Sequence, residues 1–527
     1  MELRQKTGKI TEKSTNDEGT KTPTAMEQVE SALKECRFGR FHIRLLLTSF
    51  VGYSCGVNVS VTIPYILPIA DCDLNMGLLE KGILNAMPYC GMIASSMVAG
   101  FLTDTFGRKR FLIMGFGGLF IFSVISGLCQ SYIVLVTSKF FEGLLFAASF
   151  SPMMTLTSEL CHKGIRDRVM LIQSSFVSIA QIVLALSSWS ILKNDWKTSF
   201  FGGYIVLNVW NYYLLIMSLW SFWACILYLF IPESPKFLVS QRKFDEGRKV
   251  LLQIYKENTG KPADSFKDAN LWNLKEINGA NEGTDEGQAV RKSQLSKGFD
   301  NIKPMFRRPF VFPLILFCCI NFFTMTQYNV LRLWFPQLST IVENYRGENG
   351  IKDFCVMLDT YTGDLRMKLA NVTTDGEVCV PVRSGNETYI NSVILGCVCV
   401  IPFIITSIAV NKIGKKNLFI AFGLLSVGCT IGLRWTVSKI TMVTLFSTCI
   451  ALAQTMLSLS QAMVLELFPT TTRTLAMSIL MSFGRSGSLV GNIMFPILLD
   501  MGCVIPFFTL AGLLIGVTVM ALFLPTK

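Results

Sequence analysis

"GFLTDTFGRKR" (Gly100–Arg110) sets one acid and three consecutive bases between two long apolar runs. A second stretch, "NKIGKKNLF" (Asn411–Phe419), repeats its outline. Asp104-x-x-Gly107-Arg108-Lys109 aligns with Asn411-x-x-Gly414-Lys415-Lys416, 307 residues later. Glu159 and Arg166 follow one apolar run, and Glu466 and Arg473 follow another, again 307 residues apart. One echo could arise by chance, but two at a single offset mark a duplicated unit.

The apolar runs set the class. Of 527 residues, 51% are hydrophobic and 16% charged, and mean hydropathy is +0.47. Twelve stretches are each long enough to cross a hydrocarbon core of about 30 Å as a helix. They lie near 41–66, 83–102, 111–130, 132–156, 169–192, 208–231, 311–336, 390–410, 417–435, 441–465, 474–498 and 503–524. The expectation is an all-α, multi-pass membrane protein of twelve transmembrane helices in two pseudo-symmetric six-helix bundles. Duplicated six-helix units are the architecture of transporters whose halves rock about a central site.

Charge gives the orientation. With the N-terminus inside, 34 Lys and Arg fall on the inner side and 10 on the outer. This asymmetry predicts both termini in the cytoplasm. A basic face beside anionic lipid also accounts for the net charge of +12 without a nucleic-acid partner. Residues 1–40 are polar, have no apolar core or cleavage site, and read as a disordered cytoplasmic tail. Residues 41–231 form the first bundle and 311–524 the second. Between them, 232–310 begins with apolar and charged residues at helical spacing, expected as amphipathic helix. From Asn270 to Asp300 it becomes a polar, flexible linker.

The outer loop, 338–389, carries two glycosylation sequons, at Asn371 and Asn386. Cys355 and Cys379 share that loop and are candidates for a disulfide, with Cys72 and Cys503 also expected outside. Two histidines in the whole chain leave little for a His-based metal site. The chain has no phosphate-binding G-x-x-x-x-G-K-[ST] loop and no nucleophile–base set in its soluble segments, so neither an enzyme nor a cofactor is expected.

Several motifs carry a resemblance. "GFLTDTFGRKR" resembles the loop between the second and third helices of the major facilitator superfamily. "IPESPKFLVSQRKFDEGRKVL" (Ile231–Leu251) resembles the sugar-porter segment after the sixth helix, and "LELFPTTTRTLAM" (Leu465–Met477) the segment after the tenth. With "NTGKP" (Asn258–Pro262), "LWFPQ" (Leu333–Gln337) and "FGRSGSLVG" (Phe483–Gly491), the chain is similar to the synaptic vesicle glycoprotein 2 group and its invertebrate relatives. The resemblance implies that the charged loops form a cytoplasmic gate. Asp104 would pair with bases and a helix N-terminus, Arg108 would reach Glu159, and Arg166 would complete the network. Gly107 would allow the tight turn. In the second copy Asn411 cannot form an ion pair, and Lys415 and Lys416 lack the arginine fork. With Gly414, Glu466 and Arg473 they would form a weaker half.

Polar residues inside spans are costly and are candidates for a transport path. These are Tyr53 and Asn58 in the first span, Lys139 and Glu142 in the fourth, Gln181 in the fifth, Gln327 and Tyr328 in the seventh, and Arg485 in the eleventh. Arg332 has two readings, path residue or side chain reaching the outer interface. Trp334 matches an aromatic that lines the pocket in the resembled group. The acids that the likeness would place in the first helix are absent from "SCGVNVSVTIPY" (Ser54–Tyr65), which leaves proton or ion coupling open. Two functions follow. One is a secondary transporter moving a small organic solute by alternating access, in the plasma membrane or an intracellular vesicle membrane. The other is a glycoprotein of the same fold that mainly binds or regulates partners. Asp104→Asn separates them: it should change solute flux in proteoliposomes and spare partner binding, and unchanged flux would contradict the gate.

Overall fold

The computed structural model describes residues 25–200, 202, 205–262, 265–266, 310–345, 353–371, 384–468 and 470–524. Within its helices, the side chains of 96–106, 167, 171, 368–371, 407, 411 and 470–475 lie outside that description. Among the described residues, ten helices are long and apolar enough to cross a membrane. Two more, Leu78–Phe106 and Thr470–Asp500, complete the twelve.

The first half contributes Arg40–Ile66, Leu78–Phe106, Arg108–Leu128, Tyr132–Glu159, Lys163–Leu192 and Val209–Phe230 as the first to sixth spans. The second half contributes Val311–Asn344 as the seventh. The eighth is broken into Asn386–Val398 and Ile401–Ile413, and Lys415–Gly432, Lys439–Leu467, Thr470–Asp500 and Val504–Leu522 follow as the ninth to twelfth. Pro402 in the first turn of the second piece explains the break, because proline has no N–H to continue the ladder. Hydroxyls within spans bond back to the carbonyl four residues earlier, as at Thr48, Ser54 and Thr62, so they meet hydrocarbon already satisfied.

Without a hydrophobic drive between helices in lipid, small residues let backbones approach. A Cβ on Gly143 would stand 2.0 Å from the Pro88 carbonyl, and one on Gly91 2.0 Å from that of Phe140. The second and fourth spans are therefore locked face to face. Between halves, the second span packs on the eleventh, the first on the seventh and the fifth on the eighth.

Three segments differ from expectation. Residues 25–35, expected within a disordered tail, form the helix Ala25–Glu35, which buries Val29, Ala32 and Leu33. Its apolar stripe docks on the amphipathic helices Pro235–Ser240 and Phe244–Thr259. The outer loop carries a helix, Phe354–Asn371, and the seventh span runs on past 336 to Asn344. A small antiparallel hairpin pairs Thr198–Phe200 with Ile205–Leu207 before the sixth span. The expected linker at 270–300 lies outside the described residues.

The disulfide assignment is corrected. Cys355 pairs with Cys503, not with Cys379. The helix Phe354–Asn371 carries Cys355 to the turn before the twelfth span, where Asp359 also accepts from the Cys503 N–H at 2.9 Å. Cys72 is disulfide-bonded as well. Cys379 lies outside the described residues.

Glu30 holds the N-terminal helix in place. It takes the Lys236 ammonium at 2.7 Å and the Lys163 N–H. Burial alone would raise its carboxyl pKa, but Lys236 and the Lys163 N–H outweigh it and hold the group below the ordinary 4.5. A depressed carboxyl stabilises docking above its unfolded value and loses that contribution as pH falls through the folded value. The protection factors of amides 25–35, exchange rates divided into the intrinsic rate at each pH, should therefore fall as the pH drops below the ordinary 4.5, and less so in Glu30→Gln. Equal pH response in both proteins would contradict the assignment.

Candidate functional site between the two halves

The duplicated motif builds the same corner twice. Gly107 (φ +93°, ψ 151°) and Gly414 (φ +86°, ψ 151°) each cap the following helix in a conformation that side chains rarely adopt. In the first half, Arg108 Nη2 stands 3.1 Å from Glu159 Oε1, and its guanidinium lies 4.5 Å above the Phe237 ring. The Lys109 N–H donates to Glu233 at 3.0 Å, and its ammonium donates to the Leu229 carbonyl at 2.8 Å. In the second half Lys415 pairs with Glu466, and Lys416 donates to the carbonyls of Leu522 and Leu524 at 2.8 and 2.7 Å. Each of these contacts stays within its own half. They brace the ends of the fourth and sixth spans, and of the tenth and twelfth. Arg166 stands half-buried in the first turn of the fifth span. The side chains of Asp104, Asn411 and Arg473 lie outside the described residues. A cavity of about 400 Å³ beside Lys415, Glu466 and Phe317 belongs to this corner of the second bundle.

Four candidate path residues lie inside the first bundle. Lys139 Nζ meets Glu142 Oε2 at 2.9 Å, both side chains 2% exposed, and Ser126 donates to the other carboxylate oxygen at 2.9 Å. Asn58 lines the same small polar void, bounded by the first, third, fourth and sixth spans. A buried pair of this kind persists because each charge satisfies the other. Tyr53 donates to Met154 Sδ at 2.7 Å between the rings of Phe150 and Phe176. In the second bundle Gln327 donates to Thr430 at 3.1 Å.

The remaining candidates meet where the halves meet. Gln181, with its amide oxygen turned to the guanidinium, accepts from Arg332 Nη2 at 2.7 Å. Arg332 is 8% exposed and lies 5.5 Å above the Tyr328 ring. It is buried between the fifth and seventh spans. Tyr89 donates to Asn329 at 2.9 Å across the same seam, and Asn329 donates to Ser488 at 2.7 Å. Arg485 donates to the Met92 carbonyl at 3.3 Å and is half-buried. Trp334 is fully buried, packs on Phe495 at 5.2 Å, and leaves its indole N–H without a protein partner. Tyr65 and Tyr389 stack at 6.0 Å. Sequence reasoning missed Tyr65, Tyr89 and Tyr389. Their one signal is helical phase: Lys81, Asn85 and Tyr89 recur every four residues on the face of the second span that meets the other half.

One face of the seam is closed. Lys81, fully buried, bonds Asp71 at 2.9 Å and crosses to the Tyr361 hydroxyl at 3.0 Å, which also takes Gln337 at 3.0 Å. Trp189 donates to Asn386 across the fifth and eighth spans at 2.8 Å. Asn386 is exposed, and Thr388 of its sequon is buried. Asn371 ends its helix with its side chain outside the described residues.

A family model described as "Major Facilitator Superfamily" matches residues 45–351, more than half of the chain. The human synaptic vesicle glycoprotein 2B is 24% identical over 339 residues, covering 62% of this chain and 49% of the relative. Synaptic vesicle glycoprotein 2A of Pongo abelii is 26% identical over 233 residues, 44% of this chain and 31% of the relative. The match thus spans about half the length of these curated relatives or less. Among solved structures, the inward open conformation of the xylose transporter XylE from E. coli superposes with TM-score 0.64 at 14% identity. It covers 92% of this chain and 97% of that one. The nucleoside transporter NupG gives 0.57 at 9% identity, covering 92% and 100%. These likenesses establish the shared fold. The family model over more than half of its length shows that the chain belongs to the major facilitator superfamily.

Proposed function

We propose that this chain is a secondary transporter that moves a small organic solute by alternating access. The observation that carries the reading is the polar seam of Gln181, Arg332, Tyr89, Asn329 and Arg485, whose hydrogen bonds join the two halves beside the Lys81–Tyr361 contact. Polar groups at membrane depth are retained where they line a path, and two rigid halves can rock about such a seam. In this reading the described state is closed outward. Lys81–Tyr361 breaks as the chain opens to the outside, while the corners at Gly107 and Gly414 hold the cytoplasmic ends of the bundles. Both termini face the cytoplasm, and Asn371 and Asn386 are the glycan acceptors. The membrane is the plasma membrane or that of a vesicle.

The rival reading is a partner-binding glycoprotein, favoured by the missing acids of the first span. Purified full-length protein in proteoliposomes discriminates: solute uptake above that of empty vesicles supports transport, and partner capture with no flux supports the rival.

Glu142 serves the fold of the first bundle and not coupling. Lys139 and Ser126 already occupy its carboxylate, and it sits away from the seam. Glu142→Gln would leave a buried ammonium without counter-charge, a cost of about 3–5 kcal/mol. The expected result is a marked loss of folded protein in detergent, with proton dependence unchanged in what remains. Normal yield with lost proton dependence would make Glu142 the coupling group instead.

A further inference from the structure

The seam holds two guanidiniums and no counter-charge. Arg332 is bonded to a neutral carboxamide and faces a ring. Arg485 is bonded to a backbone carbonyl. Asn329 and Ser488, bonded to each other at 2.7 Å, lie three residues from Arg332 and Arg485, and Tyr89 bonds Asn329, so the two arginines flank one site. Among the described residues neither forms an ion pair, and Glu142 is consumed by Lys139.

In the first half the chain treats buried charge differently. Lys81 has Asp71, Lys139 has Glu142 and Arg108 has Glu159. Two arginines left with neutral partners are costly in a low dielectric, and the cost falls when an anion arrives. Arginine also presents a planar fork that takes a carboxylate or phosphate with two parallel bonds. On the seam face of the second span, Asn85, 1% exposed, leaves both amide atoms without a protein partner.

We infer that the transported solute is an organic anion, a carboxylate or a phosphate ester, whose charged end is taken by Arg332 and Arg485. This rests on the transporter reading above and names its substrate class. Half-buried Arg485 meets the anion first from the side of the termini, and Arg332 meets it deeper in the seam. Neutral hydrogen-bonding solutes would leave both cations uncompensated and bind weakly. The empty carrier retains two bare cations, so it reorients more slowly than the loaded one. Exchange of anion for anion therefore outpaces net flux.

The test uses the full chain and chemically matched pairs: glucuronate against glucose, succinate against succinamide, and glucose 6-phosphate against glucose. Thermal shift in detergent and radiolabelled uptake into proteoliposomes are read for each. The expected result is a shift and uptake with at least one anion and neither with its neutral partner, with faster uptake when the same anion is inside. Arg332→Gln and Arg485→Gln should each weaken that binding by about tenfold to a hundredfold, and Arg485→Lys should weaken it less than Arg485→Gln. Uptake of a neutral member with no response to any anion overturns the inference and leaves the transporter reading standing. No shift and no uptake with any member, in protein that melts cooperatively, counts against both.

Discussion

A charge inside hydrocarbon must be met by another charge, by oriented dipoles or by water, and this constraint organises the molecule. Lys139 and Glu142 satisfy it within one bundle, and the void beside them is kept small by serines from neighbouring helices. Lys81 satisfies it with Asp71 and with Tyr361 across the seam. Arg332 and Arg485 satisfy it with neutral oxygens alone. The first solution makes a rigid core, the second a contact that breaks as a unit, and the third a site whose electrostatics are completed from outside.

The duplication has a physical consequence at the corners. Gly107 and Gly414 adopt the same backbone conformation, and the base after each reaches the glutamate that closes the fourth or tenth span. The environments differ. Arg108 is mostly buried under Phe237, whereas Glu466 is largely exposed. Exposed pairs contribute little and are screened by salt. The first corner is thus braced by the helices after the sixth span, and the second stands more open to solvent.

The twelve spans and the repeat were legible in sequence because apolar length and a fixed offset are local properties of the chain. The pair Lys139–Glu142 was legible too, since residues three apart share a helix face. What was not legible is which bundle face each polar residue addresses. Tyr89 and Tyr53 look alike in an apolar run, yet one faces the seam and the other the interior of its own bundle. That choice depends on tertiary rotation of the helix. The Cys355–Cys503 bridge escaped for the same reason: proximity in the loop favoured Cys379, while the helix Phe354–Asn371 carries Cys355 toward the twelfth span. The N-terminal helix escaped because its stripe is short and its partners lie more than 130 residues away.

The bridge between Cys355 and Cys503 gives the outer helix a mechanical identity. Tied covalently to the second half, and held there again by Arg366 on Asp500, it moves with that half as a lever arm. Tyr361 is the tooth on that arm that engages Lys81 of the first half. In the alternating-access cycle proposed above, an antibody gripping both the arm and the turn around Asp71 would act as a brake from the face opposite the termini, without approaching the seam.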